Sequence, residues 1–175
     1  MEIRDLTEMN KKYKIYGGNQ NHSGGRYLGA SVWDIWELIK DLDPNYIGFQ
    51  YDPQNNLAEG SGGSWMTDAR LAMSYSKMYV VKTQREWGSP EWEKSTRKGD
   101  NKLGILTPDE FNWCFRILKN NGFSGPITAH YEFPGLGGAE NGSMELKGAT
   151  RKEVLAILKK NLEILKGMLQ KAELL

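Results

Sequence analysis

The chain has 175 residues, enough for one domain with a proper core or for one incomplete domain of a larger class. Its 23 basic and 22 acidic side chains nearly cancel, which argues against nucleic acid or an acidic membrane surface as partner. No run of about 18 apolar residues occurs, so no membrane span is expected, and the N-terminal Met1-Glu-Ile-Arg-Asp5 has no apolar core of the signal-peptide kind. A cytoplasmic protein is the expectation. Cys114 is the single cysteine, so no internal disulfide can form, and its place in an apolar helical run makes it a core residue rather than a nucleophile.

Residues 5–13 read as a short helix and 14–19 as a strand. The polar run Asn19-Gln-Asn-His22 follows, then the turn Ser23-Gly-Gly25, where the backbone can approach a ligand or a neighbouring strand closely. Ser31 is a good N-cap with Asp34 three residues on. Val32, Ile35, Trp36 and Ile39 then form one apolar helical face ending near Asp41. Asp43-Pro44 breaks that helix, and Tyr46-Ile-Gly-Phe-Gln-Tyr-Asp52 reads as a buried strand ending in a carboxylate. A carboxylate is costly to bury alone, so Asp52 should face a cation, a hydrogen-bond donor or water.

A polar, glycine-rich loop is predicted over 55–64, a helix over 67–75 and a strand over 78–82. Residues 83–106 read as a long irregular stretch holding Trp87 and Trp92, and loops of that length tend to be functional or disordered. Thr107-Pro-Asp-Glu110 is a capping box with proline at the first helical position, Phe111, Cys114, Phe115 and Leu118 supply the buried face, and Gly122 closes the helix as a left-handed cap. A strand follows over 126–132 with His130 and Glu132 on one face, then a second glycine-rich loop over 134–148. Thr150 and Glu153 open a long helix to about Lys171.

Strict alternation of strand and helix with apolar strands means a parallel sheet with helical crossovers. The long polar loop always follows the strand, and the return from helix to strand is short. That asymmetry belongs to an α/β fold of the parallel (β/α) barrel type, whose active site is built from loops at the strand C-termini. Four such units make half of a ring of eight.

Gln20-Asn-His-Ser-Gly24, Ser31-Val-Trp-Asp34, Ile47-Gly-Phe-Gln-Tyr-Asp52, Glu59-Gly60, Ser64-Trp65, Val81-Lys82 and His130-Tyr-Glu-Phe-Pro-Gly-Leu-Gly-Gly-Ala-Glu140 occur in this order. Together they resemble the second half of the sugar phosphate isomerase/epimerase family, the xylose isomerase-like TIM barrels. The resemblance implies a single partial domain over residues 1–175 that acts on a sugar or sugar phosphate. It also implies a divalent metal (Mn, Mg, Zn or Co) that polarises the carbonyl while acidic residues move a proton between adjacent carbons through an enediolate. By resemblance, Asp52, Glu132 and His130 are the metal ligands and Glu132, Asp52 and Lys82 the catalytic groups. Gln20, His22, Asn55, Lys82 and Trp87 are the expected substrate contacts. Departures stand beside these matches. Gln20 replaces a glutamate, Asn55 a histidine, the third strand lacks a histidine, and Thr83 follows Lys82 where an aspartate is usual.

Plainer roles stand beside the functional ones. Asp52 could cap a loop or pair with Lys82, and Trp65, Trp87 and Trp92 could pack rather than form a sugar-stacking wall. A half-barrel could equally be a non-catalytic remnant or a carbohydrate-binding protein. Parallel sheets are normally covered on both faces and open edges invite pairing. An inner face built from Ile15, Ile47, Phe49, Val81 and Ile127 would therefore be expected to draw in a second copy, giving a homodimer that closes an eight-stranded barrel.

Overall fold

Four strands run parallel and lie side by side in chain order: β1 (Gly17–Asn19), β2 (Ile47–Tyr51), β3 (Ser76–Thr83) and β4 (Ile127–Tyr131). The computed structural model describes residues 2–22, 28–58, 63–83, 87–88, 106–131 and 150–175. Helix α1 (Ile3–Tyr13) precedes β1, α2 (Val32–Ile39) joins β1 to β2, and α3 (Pro53–Ala58) with α4 (Trp65–Ser74) joins β2 to β3. Helix α5 (Pro108–Asn120) leads into β4, and α6 (Arg151–Lys171) follows it. The sheet curls into half of a parallel (β/α) barrel, the fold class that the alternation predicts.

The helix starts follow their capping residues. The Thr107 hydroxyl accepts from the Glu110 N–H while the Glu110 carboxylate accepts from the Thr107 N–H, and Thr150 and Glu153 do the same at α6. Ser31 caps α2 through the Trp33 N–H. Gly122 takes a left-handed φ of +68°, as a residue ending α5 must. Two boundaries differ from the sequence reading. Lys14 is itself a left-handed cap with φ 55°, so it ends α1, and β1 begins only at Gly17. Residues 53–58, read partly as loop, form α3, because Asp52 supplies an N-cap carboxylate and Pro53 suits the first helical position.

Register decides which strand residues face the helices. Ile47, Phe49, Tyr51, Tyr79 and Val81 belong to the core cluster with Val32, Ile35 and Ile39 of α2, Ala69, Ala72 and Met73 of α4, and Phe111, Cys114, Phe115 and Leu118 of α5. A chain of rings crosses this layer, with centroids 6.2 Å apart for Tyr51–Tyr79, 6.3 Å for Tyr79–Phe115, 6.3 Å for Phe115–Phe111 and 5.4 Å for Phe111–Trp87. Each large apolar side chain fully buried here contributes about 1.5–3 kcal/mol, so the interface between sheet and helices carries most of the stability. Helix α6 is tied in by Asn161, whose buried side-chain oxygen accepts the Trp87 N–H at 3.1 Å.

The opposite face holds the paired positions Gly18↔Gly48, Gln50↔Met78, Val80↔Thr128 and Lys82↔His130. This corrects the expected inner face. Ile47, Phe49, Val81 and Ile127 lie on the helix side, and Ile15 precedes β1 with 53% of its surface exposed. What faces the barrel axis is small or polar apart from Met78 and Val80, so apolar burial is a weaker reason for two copies to join than the sequence pattern promised.

Among the described residues no helix is long and apolar enough to cross a membrane. Below the rim, the Tyr16 hydroxyl donates to the carbonyls of Tyr75 (2.8 Å) and Phe49 (3.2 Å), and burial pushes its phenol up to about 12. A Cβ at Gly48 would run into that hydroxyl and the Tyr75 carbonyl. Gly48→Ala is therefore expected to destabilise the chain by about 1–3 kcal/mol in a urea titration. Gly167→Ala on α6, where a methyl meets nothing, should stabilise it by about 0.5–1 kcal/mol.

Candidate active site

Each of the four strands delivers a polar group to the rim at its C-terminal end. Gln20 and Asn21 follow β1, Asp52 and Asn55 follow β2, Lys82 lies near the end of β3 and His130 near the end of β4. Alternation along the strands puts Gln20 with Gly18, Asp52 with Gln50, Lys82 with Val80 and His130 with Thr128, all toward the barrel axis. Lys82 and His130 are direct partners in the β3–β4 register.

Asp52 has no exposed surface, and its oxygens are met by donors. Oδ1 accepts the N–H groups of Gln54 and Asn55, each at 3.0 Å, which makes Asp52 the cap of α3. Oδ2 accepts from Gln20 Nε2 at 3.1 Å. The Asn21 side chain continues the β1–β2 ladder beyond its backbone, donating to the Asp52 carbonyl and accepting from the Asp52 N–H, both at 2.9 Å. Asn55 Nδ2 donates to the Asn21 carbonyl at 2.8 Å, and Asn55 Oδ1 accepts from Lys82 Nζ at 3.0 Å. Burial raises the Asp52 carboxyl above the usual carboxylate range. The Asn55 N–H, the Lys82 ammonium, the Gln20 amide and the nearby His130 act in the opposite direction.

The residues expected from the sequence thus divide. Asp52, Gln20, Asn55 and Lys82 form one hydrogen-bonded network, and His130 stands close enough to act on the Asp52 charge. His22 is exposed, two positions beyond Gln20. Glu132, Trp92 and the 134–148 loop lie outside the described residues. Trp87 is corrected from substrate contact to core: its side chain is fully buried against Phe111, where a sugar cannot reach it. Trp65 is likewise buried, edge-on to Trp113 at 5.5 Å. Sequence reasoning missed Asn21 and Gln54 as site residues. Asn21 was visible only as one member of a polar run. Gln54 is 2% exposed, and neither end of its amide has a partner among the described residues.

The divalent ion implied by the resemblance needs several anionic or carbonyl oxygens, or imidazoles, free to ligate. Among the described residues no three His, Cys, Asp or Glu side chains gather as such a site requires. The side-chain oxygens of Asn21 and Asn55 already accept hydrogen bonds, and so do both Asp52 oxygens. An ammonium repels a cation about 4 Å away by roughly 4 kcal/mol per unit charge at an effective dielectric of about 20, and twice that for a dication. The described donors alone therefore do not make a site for Mg²⁺, Mn²⁺, Zn²⁺ or Co²⁺; Glu132, a ligand that the resemblance implies, lies outside the described residues.

No family model and no curated protein matches the chain. The fold is shared with a solved structure described as a D-tagatose 3-epimerase-like protein, at 17% identity and a TM-score of 0.57. The match covers 98% of this chain and 53% of the other, so this chain spans about half the length of that protein. The likeness is one of fold, a parallel (β/α) barrel of which this chain shows half.

Replacing Asp52 separates its roles. Asp52→Ala removes the α3 cap and a buried carboxylate whose charge Lys82 opposes, at a cost of about 3–5 kcal/mol by chemical denaturation. Asp52→Asn keeps an oxygen for the cap and should cost less. Because the folded carboxyl titrates above its ordinary 3.8, its stabilising contribution is fully present below that value and is lost as pH rises through the folded pKa. The stability of wild type relative to Asp52→Asn should therefore increase as pH is lowered through that window; a difference that is flat or shrinks on acidification would contradict the assignment.

Proposed function

We propose that the rim binds the carbonyl and hydroxyl oxygens of a small sugar or sugar phosphate, and that the chemistry is proton transfer between adjacent carbons, as in an isomerase or epimerase. The observation that carries this reading is the convergence of a carboxylate, an ammonium, an imidazole and three amides from four successive strands on one rim. The sugar-epimerase-like description of the structural neighbour supports the same class. Lys82 is the group to polarise a carbonyl oxygen and stabilise the negative charge of an enediolate. Gln20 and Asn55 orient hydroxyls, and Asp52 holds Gln20, Asn55 and Lys82 in place. By resemblance the proton-abstracting carboxylate is Glu132.

A ring of eight strands encloses such a site, and four are present among the described residues. The remainder of the pocket is assigned to four further βα units, contributed by a second copy in a homodimer or by further chain. A second reading, a carbohydrate-binding half-barrel without turnover, is favoured by the complete engagement of both Asp52 oxygens in hydrogen bonds.

The two readings part in a single experiment. The protein is incubated with a panel of ketoses and ketose phosphates in D₂O, deuterium at the carbons flanking the carbonyl is followed by NMR, and the active fractions are sized by light scattering. Exchange confined to species heavier than the 19.9 kDa chain is the expected result. Binding without exchange selects the second reading, and exchange by the 19.9 kDa monomer refutes the need for further units. Absence of both binding and exchange in assembled protein removes sugars from consideration.

A further inference from the structure

We infer that Lys82 is the resident cation of this rim, occupying the electrostatic position a divalent metal would otherwise take, so that the site works without one. The inference rests on reading the rim as a ligand site and extends it to the kind of ligand accepted: neutral or anionic oxygen compounds rather than cations.

Three observations support it. Lys82 is 5% exposed and its ammonium is held by Asn55 Oδ1 at 3.0 Å, so the charge is fixed in the site rather than carried on a solvated side chain. Asp52, the carboxylate it acts on, spends both oxygens on the Gln54 and Asn55 N–H groups and the Gln20 amide, an arrangement in which donors surround the anion on its bonded sides. Asn21 and Asn55 direct their nitrogens to main-chain carbonyls, which turns their oxygens to an N–H and to the ammonium. Among the described groups, a divalent ion would enter by displacing the Lys82 head and reversing several amides at once. Among the described groups the Lys82 charge offsets that of Asp52, so this part of the network does not call for two more positive charges. Gln54 adds a buried amide without partners among the described residues beside the same carboxylate, a group suited to a hydroxyl or carbonyl oxygen.

Mn²⁺ is the probe. The purified full chain, in its native assembly and stripped with chelator, is titrated with MnCl₂ while free Mn²⁺ is counted by its paramagnetic resonance signal. Wild type is expected to bind none at millimolar metal, and chelator is expected to leave its melting temperature unchanged. Lys82→Met removes the ammonium at similar volume and should bind Mn²⁺ at least about tenfold more tightly than wild type. Lys82→Arg keeps the charge and should exclude the ion as wild type does; Lys82→Gln replaces the methionine variant if that fails to fold. One Mn²⁺ bound per wild-type chain overturns the inference, including the case in which Glu132 completes a ligand set with Asp52. Failure of both neutral variants to gain affinity overturns it as well. No sugar enters the measurement, so its outcome is independent of whether the sugar reading survives.

Discussion

A carboxylate with no exposed surface must be surrounded by donors, and the end of β2 is built to satisfy that demand for Asp52. Two main-chain N–H groups come from the turn into α3, one amide comes from the chain leaving β1, and a positive charge comes from β3. Each partner is held in turn: Asn21 pins the Asp52 backbone, Asn55 pins Asn21 and Lys82. The positions of three strand ends are thus interdependent through one anion. A structural demand and a candidate binding surface coincide here, and for that reason a cap residue and a functional residue cannot be told apart at position 52 by composition alone.

Much of the fold was legible in the sequence because its signals are local. Thr107 with Glu110 and Thr150 with Glu153 mark helix starts whatever the tertiary context, Gly122 marks a stop, and apolar strands between helical patterns imply parallel pairing. Lys14 was misread because a lysine in left-handed geometry carries no sequence signature. The facing of β2 and β3 was misread because an apolar stripe alone does not say which side of the sheet the helices cover. Phe49 and Val81 could be assigned to the helix side only after the register placed Gly18 and Gly48 opposite each other. Trp87 looked like part of a sugar platform because an aromatic in a long polar loop has that appearance; its actual partners, Phe111 and Asn161, lie 24 and 74 positions away.

At the site, the sequence identified Asp52, Lys82, Gln20 and Asn55 as members of one cluster, and their bonding could not be read from it. Residue type alone makes Asp52 and His130 metal ligands as readily as hydrogen-bond partners. The distinction lies in how the amides are turned, and that depends on Asn21, whose side chain substitutes for a strand residue after β1 has ended. Three-residue β1 is short enough that side-chain amides must complete its pairing with β2.

The bond between Asn161 and Trp87 bears on how the protein opens. Helix α6 is 21 residues long and much of its surface faces water, so alone it would fray and exchange its amide protons readily. Its buried Asn161 oxygen holds the main chain just past β3, beside rings that run without a break to Tyr51. Loosening the helix near its middle therefore strands a polar atom inside the aromatic layer. The C-terminal helix is thereby drawn into the cooperative unit of the sheet, and slow hydrogen exchange should extend along α6 to its middle turns rather than ending where its apolar stripe thins.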